Sequence, residues 1–228
     1  MEPPAHPSSG PPRSLQLAVT LLVAAAGSLE TISFLGLDRV FAGVMTSNLA
    51  LMGMAIGQQQ ALNVTAAALA LAGFGVGAAA AARVTRCSEI REGRWHPRVM
   101  FCLIATTVIL VAIAGAWAAL DGAPRGVTRN LLQFAAAVSM GVESTAMVAA
   151  GHAAAPTTYL TGTMATYIVN GVGSGRQEIW IPVRFGALIV GAALSAALLK
   201  TAPAWAAVPP VALMLCALLA ARSRRPGR

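Results

Sequence analysis

The sequence predicts an all-α membrane protein with about six transmembrane helices, two short polar or re-entrant segments and an inverted internal repeat. Three observations lead there. Charged residues make up 11% of the 228 positions and hydrophobic ones 57%, whereas a soluble domain has about 25% charged; mean hydropathy is +0.69. Six apolar runs approach or exceed the roughly 20 helical residues that cross a hydrocarbon core. Several short motifs recur at an offset close to half the chain length.

Taken in order, residues 1–14 hold five prolines and little apolar content, which predicts a disordered tail. Residues 15–221 form a single membrane domain, with halves at about 15–120 and 125–221, and 222–228 make a basic tail. The spans are expected at Leu15 to Leu37, Leu62 to Ala82, Val99 to Leu120, Leu131 to Ala150, Ile179 to Leu199 and Ala202 to Ala221. Helices are the expected spanners because lipid offers the backbone no hydrogen-bond partner, and nothing here alternates like a barrel strand. Arg13 followed by Leu15 to Ala26, with Ala24 and Ala26 spaced like a cleavage site, mimics a signal peptide. The apolar run continues to Leu37, so it is read as the first span. Asn63-Val64-Thr65 matches a glycosylation sequon but opens an apolar run and is read as chance. Trp95, Trp117, Trp180 and Trp205 fall at or near run ends, where interfacial anchors belong.

Two stretches are too short and too polar to be ordinary spans. One is Val40 to Leu49, with Met45-Thr46-Ser47-Asn48 at its centre; the other is Ala155 to Gly171, which carries Thr157, Thr158, Tyr159, Thr161 and Thr163. Charge decides their threading. If both cross, with the N-terminus inside, only nine of the sixteen Lys and Arg residues lie on the inner side. If both enter and leave on one face, twelve of sixteen do, including the cluster Arg83, Arg86, Arg91, Arg94 and Arg98. The second count is the asymmetry that the positive-inside rule expects, with both termini cytoplasmic.

The same threading fits a duplication. Gly27 and Glu30 recur loosely as Gly141 and Glu143, Thr46 as Thr161, and Val76-Gly77-Ala78-Ala79 as Val190-Gly191-Ala192-Ala193. Three crossings per half would make the second copy enter from the opposite face. Short, glycine-interrupted segments at matching positions of inverted halves point to a transport site. Thr46, Ser47 and Asn48, with Thr157, Thr158, Tyr159, Thr161 and Thr163, are therefore candidate substrate-binding residues. The competing reading is that hydroxyls and small residues join helices. Glu30 and Glu143 join the candidate set because each lies in an otherwise uncharged run. A carboxylate in lipid must face a cavity, find a partner or keep its proton. Arg184, near a helix end, is expected to snorkel, and Asp38-Arg39 to be a solvated turn. Gly73, Gly75, Gly77, Gly186 and Gly191 permit close packing; a homodimer is possible, but packing between repeats is the preferred reading.

Other chemistries find little support. Cys87, Cys102 and Cys216 form no C-x-x-C pair, His6, His96 and His152 lack ligand spacing, and no phosphate loop or nucleophile motif occurs. No metal, cofactor, nucleic acid or enzymatic activity is expected; the expected surroundings are a lipid bilayer and a small polar solute or ion.

Gly27-Ser28-Leu29-Glu30, Val40-Phe41, Met45-Thr46-Ser47-Asn48 and the run Thr157-Thr158-Tyr159-Leu160-Thr161-Gly162-Thr163 together resemble the YoaK-like family of bacterial multi-pass inner-membrane proteins. The resemblance covers roughly Leu15 to Leu199 and implies a bacterial inner membrane and an undetermined function. Ser47, Glu30 and Glu143 depart from the family pattern, so a mechanism requiring both acids would not be general to it. The expected function is a small secondary transporter or channel-like permease with a polar site between the short segments. The alternative is a non-transporting membrane protein that binds lipid or a partner; a membrane-embedded enzyme ranks third.

Overall fold

The computed structural model describes residues 12–59, 61–86, 95–151, 160–174 and 179–222. Eight α-helices account for nearly all of them: α1 (Arg13–Thr31), α2 (Met45–Gly57), α3 (Ala61–Thr85), α4 (Pro97–Ala119), α5 (Gly126–Ala149), α6 (Leu160–Ser174), α7 (Trp180–Thr201) and α8 (Val208–Arg222). A π-helical turn, Ile32–Gly36, prolongs α1, and a 3-10 turn, Pro203–Trp205, leads into α8. Six helical stretches are long and apolar enough to cross a bilayer: Arg13–Gly36, Val64–Thr85, Pro97–Ala119, Gly126–Ala149, Trp180–Thr201 and Pro203–Arg222. They match the six expected runs to within a few residues except at the start of α5, which opens at Gly126 where the run is expected from Leu131. The helix α2, at 13 residues, is only about 20 Å long and too short to cross.

Local chemistry explains several boundaries. Pro97 opens α4, where its missing N–H costs nothing, and the His96 ring accepts from the Arg98 N–H at 3.2 Å. At the other end of α4, Gly122 at φ +73 turns the chain and donates to the Trp117 carbonyl. That tight turn leads straight into α5.

Contacts between helix ends fix the path of the chain. Gly36, at the end of α1, lies against the Trp117 indole at the end of α4. The Trp117 Nε1–H donates to the Pro203 carbonyl at 2.8 Å, at the start of the α8 span. Leu37 to Arg39, Thr65 and Ala66 of α3, and Gly126, Arg129 and Asn130 of α5 surround one cavity. The ends of α1 and α4 and the starts of α3, α5 and α8 therefore share a face. Trp95 and Pro97 meet Ala221 and Arg222 at the opposite face. An eight-crossing path would put the ends of α1 and α4 on opposite faces, so α2 must return to the face that α1 reached. By the same bookkeeping α5 ends, and α7 begins, on the other face, and α6 returns there.

The helices pair across the halves. α1 packs on α7 and α8, α5 on α3 and α4, and each short helix on the helix that follows it. Glycine makes the main crossings close. A Cβ at Gly191 would fall on the Ala24 carbonyl, and one at Gly77 on the Val138 carbonyl; one at Gly27 would strike the Leu188 carbonyl, and one at Gly141 that of Phe74. In each pair of contacts, both partners are displaced by 114 positions. Gly73 also faces Phe134 and Ala137 of α5, while Gly75 and Gly186 face nothing. The Gly73 and Gly77 motif is thus spent inside the chain, between its halves. Outward-facing Val76, Ile189, Val190 and Leu219 remain exposed, as helices in contact with lipid require.

Three sequence expectations are corrected here. Trp117 is no interfacial anchor: it is wholly buried, because its indole N–H finds the Pro203 carbonyl and so loses the polar group that would hold it at the headgroups. Arg184 does not snorkel. It is 4% exposed and donates to the Gln16 side chain of α1. Asp38, expected in a solvated turn, lies 2.7 Å from Arg129.

Candidate functional site

The site begins where α1 breaks. After the π-helical turn the chain reverses, with Arg39 at φ +56, and runs back along α1 from Val40 to Gly43 without regular backbone hydrogen bonds. In lipid such a stretch survives only if other groups satisfy it. Three side chains do so. Ser33 Oγ donates to the Val40 carbonyl at 2.6 Å. The Asn48 side chain accepts from the Phe41 N–H at 2.8 Å and donates to the Phe41 carbonyl at 2.7 Å. Glu30 Oε2 accepts from the Ala42 N–H at 2.8 Å, and its Oε1 from the Gly43 N–H at 2.7 Å. Consecutive residues 40 to 43 are each held by a side chain from the helix before or after the break.

A fourth residue ties this clasp to the second half. The Gln133 amide of α5, wholly buried, lies 2.8 Å from Ser33 Oγ. Ser33 Oγ thus faces two acceptors, the Val40 carbonyl and the Gln133 amide oxygen, and its single proton serves one of them at a time. Neither Ser33 nor Gln133 stands out in the sequence; their signal is a polar residue within an apolar run, and only Ser33 lies about one turn from the break.

Glu30 lies about 9 Å in from the end of its span, six residues before Gly36 at 1.5 Å each. Beyond the clasp it lines a cavity of about 480 Å³ with Thr31, Phe34, Phe41, Gly43 and Val44 from the first half. Met140 of α5, Leu160 and Thr161 of α6, and Leu188 and Ala192 of α7 close the other side. Phe34 and Phe41 stack with centroids 4.8 Å apart. Both carboxylate oxygens are acceptors towards the loop, which suits the ionised acid; a protonated one must turn its O–H away from the loop.

The structure thus brings Glu30 and Thr161 together. It does not bring the whole candidate set together. Asn48 is wholly buried with its amide spent on Phe41. Thr46 is exposed and Ser47 half-buried, and neither lines the cavity. Thr163 and Glu143 also lie off it, Glu143 being 2% exposed within α5. Thr157, Thr158 and Tyr159 lie outside the described residues. α2 and α6 share no extensive contact among the described residues, although the residue preceding α2 and the first two of α6 meet at the cavity. The 114-position offset of the glycine crossings pairs Glu30 with Ser144, not with Glu143, and pairs Asn48 with Gly162.

Residues 18–220 match the family of proteins of unknown function DUF1275. The chain belongs to this family. It is also 31% identical over 150 residues to the UPF0700 transmembrane protein YoaK of Bacillus subtilis, which covers 66% of this chain and 64% of that protein. The chain therefore spans a little under two thirds of the length of the curated relative it matches. No solved structure matches. The DUF1275 match runs from within α1 to near the end of α8, so the clasp, the cavity and both short helices fall inside the family region.

Proposed function

We propose that the chain is a small secondary transporter or channel-like permease that carries a small polar solute or ion, with Glu30 as the group whose charge couples to movement. The observation that carries this is the cavity itself. A carboxylate, an irregular backbone segment and a hydroxyl from the opposite short helix border one space within the thickness of the span. Irregular backbone in a membrane is tolerated where protein satisfies it or where it lines a cavity, and here it does both. An inverted repeat is part of the proposal. It is supported by the paired glycine crossings at a 114-position offset and by two short helices that return to opposite faces, the arrangement in which two halves can rock about a shared site. The proposal involves no catalysed reaction.

We place the protein in a bacterial inner membrane with both termini cytoplasmic, supported by the transmembrane relative from Bacillus and by twelve of sixteen basic residues on that side. A cysteine at position 86 should be labelled only from inside intact cells, and one at position 121 only from outside. The reverse pattern would overturn the orientation.

A second reading has its own support. The clasp is complete without any ligand, so Glu30, Ser33 and Asn48 also serve a protein that only binds lipid or a partner. Uptake and efflux of candidate solutes in proteoliposomes, with and without a pH gradient, separates the two. A solute flux that depends on the protein and is lost on blocking the cavity supports the permease; no flux for any solute, with the protein folded, supports the second reading.

A further inference from the structure

We infer that the cavity beside Glu30 takes a protonated amine with a compact apolar body. This deepens the permease proposal and rests on it for its biological use. The chemistry of the walls carries the inference. Among the described lining residues there is one acid, Glu30, and no Lys, Arg or His. An anion would meet that carboxylate with no compensating charge, and a neutral solute would leave it without a counter-ion in a low-dielectric space. The ligand that completes the charge is a cation.

Its size and surface follow from the same walls. A hard metal ion takes six or more oxygen ligands. Among the described lining residues the side chains that carry oxygen are Glu30, Thr31 and Thr161, and the Thr31 hydroxyl already donates to the Gly27 carbonyl. The other described lining side chains are apolar. The volume of about 480 Å³ lies in the range of small-molecule pockets, whose walls are mostly apolar with a few placed polar groups. Phe34 and Phe41, stacked at 4.8 Å, add an aromatic wall to which an ammonium is attracted by the ring quadrupole. The N–H groups of the ammonium would donate to the Glu30 lone pairs not used by the Ala42, Gly43 and Val44 N–H groups, and to the Thr161 hydroxyl, while the apolar body fills the remaining space.

The test uses the full-length protein in lipid nanodiscs and three probes of one shape: 2-phenylethylamine, 2-phenylethanol and 3-phenylpropionate. Equilibrium binding is read by calorimetry at neutral pH, and counterflow of the amine is measured in proteoliposomes. The amine should bind at least about tenfold tighter than the alcohol, since a charge-assisted hydrogen bond contributes about 1.5 kcal/mol or more, and the anion should not bind. Because Glu30→Gln also breaks the clasp, the blocking variant is Ala192→Leu, which fills the cavity from α7 without touching a clasp residue. It should abolish amine binding while the protein remains monodisperse. Equal binding of amine and alcohol, or amine binding that survives Ala192→Leu, overturns the inference. Flux of other solutes without amine binding overturns it and spares the permease proposal. Amine binding at this cavity without counterflow upholds the ligand class and removes the permease proposal instead.

Discussion

The two halves share their helix crossings but not the residues that hold the first break. Around the crossings, the halves correspond contact by contact: Gly27 meets Leu188 as Gly141 meets Phe74, and Gly191 meets Ala24 as Gly77 meets Val138. At the first break the sequence correspondence ends. The positions 114 residues after Glu30, Ser33 and Asn48 hold Ser144, Met147 and Gly162, none of which is an acid or a side-chain amide. A scaffold built on sterics needs only small residues where backbones touch, so both halves can share it. A charge in lipid must be matched group by group, and at these three positions only the first half carries an acid and an amide. Among the described residues the cavity therefore has one acid, on one side.

The glycine crossings should give the largest effects. At Gly191 and Gly77 an added Cβ meets a backbone carbonyl, so the helices must part. Gly191→Val and Gly77→Val should each cost about 3 kcal/mol, read from unfolding in mixed detergent micelles. The pair sharpens the comparison, because equivalent crossings should cost the same within about 1 kcal/mol. A variant tolerated in one half and unfolding in the other would break the correspondence of the scaffold.

Next in size is the clasp acid. Glu30→Gln leaves one acceptor for two loop N–H groups and turns an NH2 towards the other, so it should cost about 2 kcal/mol and not behave as a silent isostere. Ser144→Ala, at the corresponding place in α5, should cost less than about 1 kcal/mol. Similar losses at the two positions would show that the second break holds a clasp of its own.

The sequence made the scaffold readable and the clasp almost unreadable. Six spans follow from run length alone, and the return of each short segment to its own face follows from where arginines cluster. Glycine spacing pointed to packing between halves, and Gly73, Gly77 and Gly191 pack there. Glu30 was conspicuous as a lone acid, but its partners lie 12 and 13 residues on, a distance that matters only once the chain doubles back. Asn48 read as a ligand because an amide in lipid needs a partner; the partner is its own backbone seven residues earlier. Trp117 and Arg184 misled for one reason. Position in a run gives the depth of a side chain but not whether Pro203 or Gln16 waits beside it.

Asn48 gives a smaller test. Asn48→Ala removes both bonds to Phe41 and should cost about 1.2 kcal/mol, on a mean near 0.6 for a hydrogen bond between membrane helices. Gly162→Asn places the same residue at the corresponding site of α6, where nothing lies within 4 Å of the new Cβ. Its effect should stay within about 0.5 kcal/mol. Stabilisation well beyond that would mean that the second short helix can be fastened in the same way.

The smallest effect is expected at the ion pair between Asp38 and Arg129, which joins the first break to α5 and also has no mirror: 114 positions away from them stand His152 and Leu15. The guanidinium Nε lies 2.7 Å from Asp38 Oδ1 but is not aligned as a hydrogen bond, and the Arg129 side chain is 38% exposed. Although Asp38 itself is only 10% exposed, a pair whose guanidinium reaches water in this way is worth little, because water and salt screen it. Arg129→Gln should therefore cost no more than about 0.5 kcal/mol at low salt, and the difference should shrink in molar salt, where the screening length falls to about 3 Å. Arg129 also sits where α1, α3 and α5 meet at one face, so a larger, salt-insensitive loss is the informative alternative. It would extend the clasp from residues 40–43 back to Asp38 and deepen the asymmetry between the halves.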